Sequence, residues 1–317
     1  MGKSLITRLN ASVNRDDLPV LGKIRINVTG TNNTAQQHGV SGTIVIKGSA
    51  LTWKGTGKCT INTFDNITYQ VGTDKTSKGI LFVDDKYKVK SIDTTFAYGS
   101  NVSFEDINKY CKEIIGLNTS NSEQEGDLSV LKDISKLESL YIGGSKITGN
   151  LSTAPYLSNI KYIDISNSSV SCDMSIFANS ANLSNINVSN TSSTGSLSVL
   201  ATLNNIRSIS ARGTVITGDL SLFANKASFR EFTYWELKST WSSDSLRPSN
   251  MGKITGAFGF KTAVDTDNFL KNMAKCSDED VKSKTWYFQN SHRTSASDAA
   301  VSTLQNAGYT LSQLITD

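Results

Sequence analysis

The sequence predicts a mixed α/β and β chain: a β-rich N-terminal domain, then a solenoid of 23-residue coils with a parallel β-sheet along one face, and helical caps. Three observations predict it. Steps of 23 from Leu128 land on Leu151, Met174, Leu197 and Leu220, and the following residue is always serine: Ser129, Ser152, Ser175, Ser198, Ser221. Five copies in one register without an insertion dictate a repeat architecture. Within each copy, apolar columns recur at Leu137, Ile160, Leu183, Ile206, Phe229; at Leu140, Ile163, Ile186, Ile209, Phe232; and at Ile142, Ile165, Val188, Ala211, Tyr234. The last two columns alternate with polar residues, as in a short strand with one buried face. Outside the copies the pattern changes, to alternating runs before them and helical runs after.

A 23-residue coil cannot enclose its own apolar face. Stacking on its neighbours removes roughly six side chains per coil from water, each worth roughly 1.5–3 kcal/mol when fully buried. The serine column from Ser129 to Ser221 is expected to N-cap a helical turn on the convex side through its hydroxyl. Ser145, Ser168, Thr191 and Thr214 form a hydroxyl-rich turn, and Gly149, Cys172, Gly195 and Gly218 a small-residue slot that admits the neighbouring coil. Trp241 occupies that slot where the stack is expected to end.

Five segments follow. Residues 1–22 form an N-terminal arm or anchor. Residues 23–100 form the β-rich domain, with strands over 23–28, 42–48, 59–61 and 67–70, and a hairpin of 79–83 with 86–90 about Asp84-Asp85. Residues 101–127 hold a helix from Ser103 through Ile115, its stripe Ile107, Tyr110, Cys111 and Ile114. That helix either caps the first coil or belongs to the β domain. The five repeats span 128–242. Residues 243–317 carry an inserted loop and a helix-containing cap, with helices over 267–275 and 298–307 and strands over 284–289 and 309–311.

Composition excludes several function classes. The 32 basic and 28 acidic residues spread evenly, 15 against 12 before residue 126, 9 against 8 to residue 242 and 8 against 8 beyond, so the electrostatic footprint of nucleic-acid binding is missing. Nothing approaches the roughly 18 uninterrupted apolar residues of a membrane span. The first residues lack the apolar core and small-residue cleavage site of a secretory signal, so the protein is expected either to stay where it is made or to leave by a route that needs no signal. Cys59, Cys111, Cys172 and Cys276 form no C-x-x-C pair and read as free, buried thiols.

Enzyme chemistry finds little to stand on, and neither a catalytic residue, a cofactor nor a metal is expected. His38 and His292, the two histidines, sit in no catalytic motif, Cys and His do not cluster as zinc requires, and no phosphate-cradling glycine loop follows a strand. Polysaccharide hydrolysis is the enzyme class that paired carboxylates on a coiled scaffold would serve. Asp164 and Glu231 fall three rungs apart on the sheet face, about 14 Å at roughly 4.8 Å per rung. Asp173 and Asp219 fall two rungs apart, about 10 Å, whereas glycosidase pairs need roughly 5–9.5 Å. Binding is the better expectation. The outward columns are Ser139, Tyr162, Asn185, Ser208, Glu231; Tyr141, Asp164, Asn187, Ser210, Thr233; and Gly143, Ser166, Ser189, Arg212, Trp235. Such a hydroxylated face either hydrogen-bonds a sugar or protein or is simply soluble. Trp235, outward by register, is the chosen contact, with Arg212, Tyr141, Tyr162 and Asp164 beside it.

The columns over 128–242 resemble the leucine-rich repeat, with Ser/Thr where that family carries an Asn ladder. Two further segments resemble proteins of crAss-like bacteriophages: Leu5 to Gly22 is similar to the opening of their virion proteins, and Arg293 to Tyr309 to the closing module of their repeat-containing tail and surface proteins. The resemblance implies a head- or tail-fibre or appendage component located in the virion. Its N-terminal part would dock on other virion proteins, and its solenoid would act as spacer or as reader of a host-surface glycan or protein, with homo-oligomers possible and neither nucleic acid nor membrane as partner. The alternative is a bacterial surface or secreted repeat protein binding glycans or proteins.

Overall fold

The computed structural model describes residues 24–29, 44–47, 51–56, 59–65, 68–73, 78–83, 89–95, 100–233, 239–243, 255–275 and 285–317. Its backbone is one 13-stranded sheet, ten strands of which are the parallel rungs of a solenoid. In chain order the rungs are Ser91–Asp93, Gly116–Asn118, Ser139–Tyr141, Tyr162–Asp164, Asn185–Asn187, Ser208–Ser210, Glu231–Thr233, Thr255–Ala257, Thr285–Tyr287 and Thr310–Ser312. Their starts lie 23 residues apart from Gly116 to Glu231, 25 before, and 24, 30 and 25 after. The stack therefore runs past residues 128 and 242 in both directions. Trp241 does not mark its end: the ring is 2 % exposed, packed edge-on against Phe269 at 5.0 Å, and three rungs follow.

Each coil leaves its rung through a turn and crosses the helical side. There the short strands Glu125–Asp127, Lys146–Asn150 and Ser169–Ser171 pair in parallel. A 3₁₀ turn follows in each 23-residue coil, for example Leu128–Leu131, Met174–Phe177 and Leu220–Phe223, and one of these coils has two, Leu151–Thr153 and Pro155–Ser158. In the 25- and 30-residue coils the extra length permits an α-helix instead: α1, Phe104–Tyr110; α2, Ala263–Ala274; α3, Asp298–Asn306. The helix opening at Ser103 thus ends at Tyr110 rather than Ile115, and it occupies the helical side of the first coil. Leu128, Leu131, Ile134, Leu137, Leu140, Ile142 and Ile147 of one coil are all at most 2 % exposed, and their equivalents continue them into one core.

The N-terminal strands extend that stack. Ile44–Lys47 pairs antiparallel with the first rung, and Thr68–Thr73 and Cys59–Asp65 follow it outward. Ile24–Thr29 pairs with Ser100–Val102 on the helical side of the same coil and with Lys78–Val83, which in turn pairs with Leu51–Thr56. Lys78–Val83 is thus paired along both edges; of the expected hairpin about Asp84-Asp85, residues 84–88 lie outside the described residues. Residues 1–22 are also outside them.

Three side-chain columns fix the coil spacing. The hydroxyls of Ser122, Ser145, Ser168, Thr191 and Thr214 donate to the carbonyl three residues back at 2.6–2.8 Å, closing the turn after each rung. One residue earlier stands a left-handed column of Asn121, Gly144, Asn167, Asn190, Gly213 and Asn290, with φ between 49° and 71°. Asn and Gly are the residues that tolerate this conformation. The side chain of Asn190 donates to that of Asn167 on the neighbouring coil at 2.8 Å. The third column is the helix cap, and here the expectation is corrected. The caps are Asp127, Asn150, Asp173, Ser196 and Asp219, which accept from the backbone amides of Ser129, Ser152, Ser175, Ser198 and Ser221. The serines are capped, not capping, because the accepting residue must precede the first turn in extended conformation.

Candidate sheet-face binding site

The register puts Ser139 opposite Tyr162 and Tyr141 opposite Asp164. Tyr141, Tyr162 and Asp164, three of the residues singled out from sequence, thereby meet on adjacent rungs. Tyr162 is 40 % exposed and Tyr141 half-buried. Burial first, then the nearby Tyr162 and Asp164, raises the Tyr141 phenol above its ordinary value. Asp164 is held rigidly: one oxygen accepts from the Ser166 amide at 2.9 Å and hydroxyl at 2.6 Å, the other from Asn187 on the next rung at 3.1 Å. The same arrangement recurs at Asp93, which accepts from the Thr95 amide at 2.9 Å and from Asn118 at 3.3 Å. Each acid or amide here folds back on the turn it precedes and reaches across one rung, which is why the column exists at all.

Arg212 lies beyond the strand, three rungs from Tyr141, exposed at the rim, with its backbone amide donating to the Ser189 hydroxyl at 3.2 Å. Trp235 is outside the described residues. Glu231 and Asp164 stand three rungs apart, as the register requires. Asp173 and Asp219 are not on this face; both are helix caps, and hydrogen bonds from Ser175, then Thr194, hold the Asp173 carboxyl below its ordinary value. A groove of about 370 Å³ lies beside the second cap, lined by residues including Ser196, Thr217, Asp219 and Lys261, but Asp219 is engaged there by Ser221 and Ser242.

Tyr287 was missed from sequence. Register with Ala257 and Ser312 puts it in the column of Tyr141 and Asp164, 47 % exposed, while Trp286 and Phe288 on either side are buried. The alternation of Trp286-Tyr287-Phe288 carried the signal, but the 30-residue step before it broke the count. Across the ten rungs the described outward side chains are hydroxyl, amide, carboxylate, tyrosine, glycine or alanine; none is Lys, Arg, Leu, Ile, Val or Met.

The fold is a leucine-rich-repeat solenoid. It is similar to PEPR1 in its crystal structure with AtPEP1, at TM-score 0.50 and 13 % identity over 72 % of this chain and 35 % of that one. A leucine-rich-repeat protein of Leptospira interrogans aligns at TM-score 0.47 and 11 % identity over 73 % of this chain and 56 % of its own. Internalin C2 of Listeria monocytogenes aligns at 0.38 and 17 % identity over 58 % and 87 %. The chain thus spans about a third of PEPR1 and about half of the Leptospira protein. At these identities the likeness is one of fold. No protein-family profile matches the sequence, and no curated protein does.

Proposed function

We propose that the chain is a non-enzymatic binding and structural component of a bacteriophage particle, with the N-terminal region docking on other virion proteins and the sheet face contacting the host surface. The observation that carries the binding part is the exposed Tyr162 beside the half-buried Tyr141, over a floor whose acids and amides are locked by their own turns. Side chains already fixed lose little freedom when a ligand arrives, and tyrosine offers both an apolar ring and a hydroxyl. The virion setting is supported by the resemblance of Leu5 to Gly22 and Arg293 to Tyr309 to virion and tail proteins of crAss-like phages. The even charge balance fits partners that are neither nucleic acid nor membrane.

Two measurements test the reading. Phage carrying a chain without residues 1–22 should produce a soluble, folded protein absent from purified particles; incorporation at the normal level rejects the docking role. Purified Tyr162→Ala protein should melt as the parent does and lose adsorption to host cells, and unchanged adsorption rejects the sheet-face role. An export signal encoded upstream, together with display on a bacterial envelope, would instead favour a bacterial surface protein using the same face.

A further inference from the structure

This inference rests on the sheet-face reading and gives its ligand a chemical class. We infer that the face takes a neutral polysaccharide, laid along the solenoid axis across two tyrosine platforms, Tyr141 with Tyr162 at one end and Tyr287 at the other.

Charge excludes the acidic polymers first. No outward strand position of the ten rungs carries a cation, while Asp93, Asp164 and Glu231 put carboxylates among them. The basic residues stand at the rim, where Lys90 and Lys161 are paired with Glu113 and Glu138 and Arg230 bonds the carbonyls of Ala227 and Phe229. A polyanion run along the rungs would meet like charge on the strand positions themselves, and cations such as the exposed Arg212 only at the rim.

A folded protein partner fits less well. Such interfaces centre on clustered, desolvated Trp, Tyr and Arg anchors, and here the tyrosine platforms stand apart, with Asn185, Asn187, Ser208 and Ser210 on strand positions between them. What they hold is hydroxyl and amide groups at rung spacing, with aromatic rings at intervals. Sugars call for that combination: the C–H face of a pyranose stacks on a phenol ring, and its hydroxyls bond to amides, carboxylates and hydroxyls.

Spacing then sets the length. Tyr162 and Tyr287 belong to rungs five steps apart, about 24 Å at roughly 4.8 Å per rung. Between them the strand positions hold Asn185, Asn187, Ser208, Ser210, Glu231 and Thr233, hydrogen-bonding groups in line with the path from one platform to the other. One oligomer touching both platforms gains the second contact at high effective concentration.

The test uses the full chain on an array of linear neutral gluco-, galacto-, manno- and xylo-oligosaccharides of graded length, with heparin and polygalacturonate as acidic comparators. Titration calorimetry follows on each hit with the parent, Tyr162→Ala and Tyr287→Ala. Thermal melting confirms that both variants, at exposed positions, stay folded. A neutral oligosaccharide should bind with little salt dependence, Tyr162→Ala should weaken every length about tenfold or more, and Tyr287→Ala should weaken only oligomers long enough to bridge about 24 Å. Preference for the acidic glycans, absence of neutral binding, or a Tyr287→Ala effect equal at all lengths overturns the inference. Should a host protein bind instead and lose binding on Tyr162→Ala, the glycan falls and the sheet-face reading stands. If a ligand of either kind binds Tyr162→Ala as well as the parent, both fall.

Discussion

Asp127 and Asp173 show how much of this architecture is settled by single residues. Each caps a 3₁₀ turn, and hydrogen bonds from the serine two residues on hold both carboxyls below their ordinary values. A depressed folded value means the contribution is present above the unfolded value of about 4 and is lost as pH falls through the lower folded one. Melting temperature should therefore hold at neutral pH and fall below about pH 4. Asn150 performs the same capping without charge, so the double variant Asp127→Asn, Asp173→Asn should keep the neutral-pH melting temperature and show a shallower acid limb. An unchanged limb would move the acid sensitivity to groups such as Glu113, which Lys136 and Lys90 depress. The small-residue slot is equally local. A Cβ on Gly149, at φ +116°, would stand 2.5 Å from Asp127 Oδ1 and 3.0 Å from the Leu128 amide. Gly149→Ala should cost about 1–3 kcal/mol in urea unfolding, and a change under about 0.5 kcal/mol would show that the cap moves aside freely. Burial pushes the Cys111 thiol up to about 12 and Cys172 up to about 11. Thiolate is the reactive form, so alkylation at pH 8 should leave the peptides bearing these two residues unlabelled until the chain is denatured.

Between elements, Gln124 joins two sheets that are otherwise separate. It sits in the column of Ile147, Val170, Ser193 and Ile216, fully buried. Its side-chain oxygen accepts from the Val102 amide at 2.8 Å, and its nitrogen donates to the Val102 carbonyl at 2.9 Å and to the Glu125 carbonyl at 2.6 Å. One side-chain amide thereby stands in for a missing strand pairing between Ser100–Val102, which belongs to the N-terminal sheet, and Glu125–Asp127, which begins the solenoid's back sheet. Gln124→Ile gives the column its own residue but strands the Val102 amide and carbonyl, at about 1–3 kcal/mol for each group left unpaired. Hydrogen exchange should accelerate at Val102 and in the paired strand Ile24–Thr29 while the rungs from Ser139 on keep their protection. Uniform acceleration would show that the bridge is no boundary. Gln124 also explains part of what the sequence hid. An in-register copy precedes Leu128, with Ile114, Leu117 and Ser122 in their proper columns, but Thr119 and Gln124 replace two aliphatics, so the periodicity reads as absent. The caps are hidden for a related reason: Asp, Asn and Ser share that column, whereas the column two positions on is serine throughout.

For the whole molecule, legibility followed the constancy of the step. From Gly116 to Glu231 the rungs advance by 23 residues, and there strand, turn and core columns could be written down from spacing alone. Steps of 24, 30 and 25 later in the chain make room for α2 and α3; the strands expected over 284–289 and 309–311 are present, but the shifted count concealed that they continue the stack and that Tyr287 faces outward. The outermost helices do not merely close the end. Asp267 of α2, 3 % exposed, accepts from the Thr294 amide at 3.1 Å and the Ser297 hydroxyl at 2.6 Å, while Asp265 accepts from the Trp241 amide at 2.8 Å. One helix thus grips the coils on both sides of it, and coupling passes along the stack by nearest neighbours. Because residues 185–207 make one complete step, their deletion joins Ser184 to Ser208 with every column still in register. The shortened chain should fold to the same strand spectrum and unfold in one transition at a lower urea midpoint, with a smaller m-value for the surface no longer buried. Deleting residues 185–196 instead would bring polar residues to core columns and should yield an unfolded or aggregated product. If both deletions behaved alike, the coils would not be interchangeable units, and stability would reside in the ends rather than in the contact of each coil with the next.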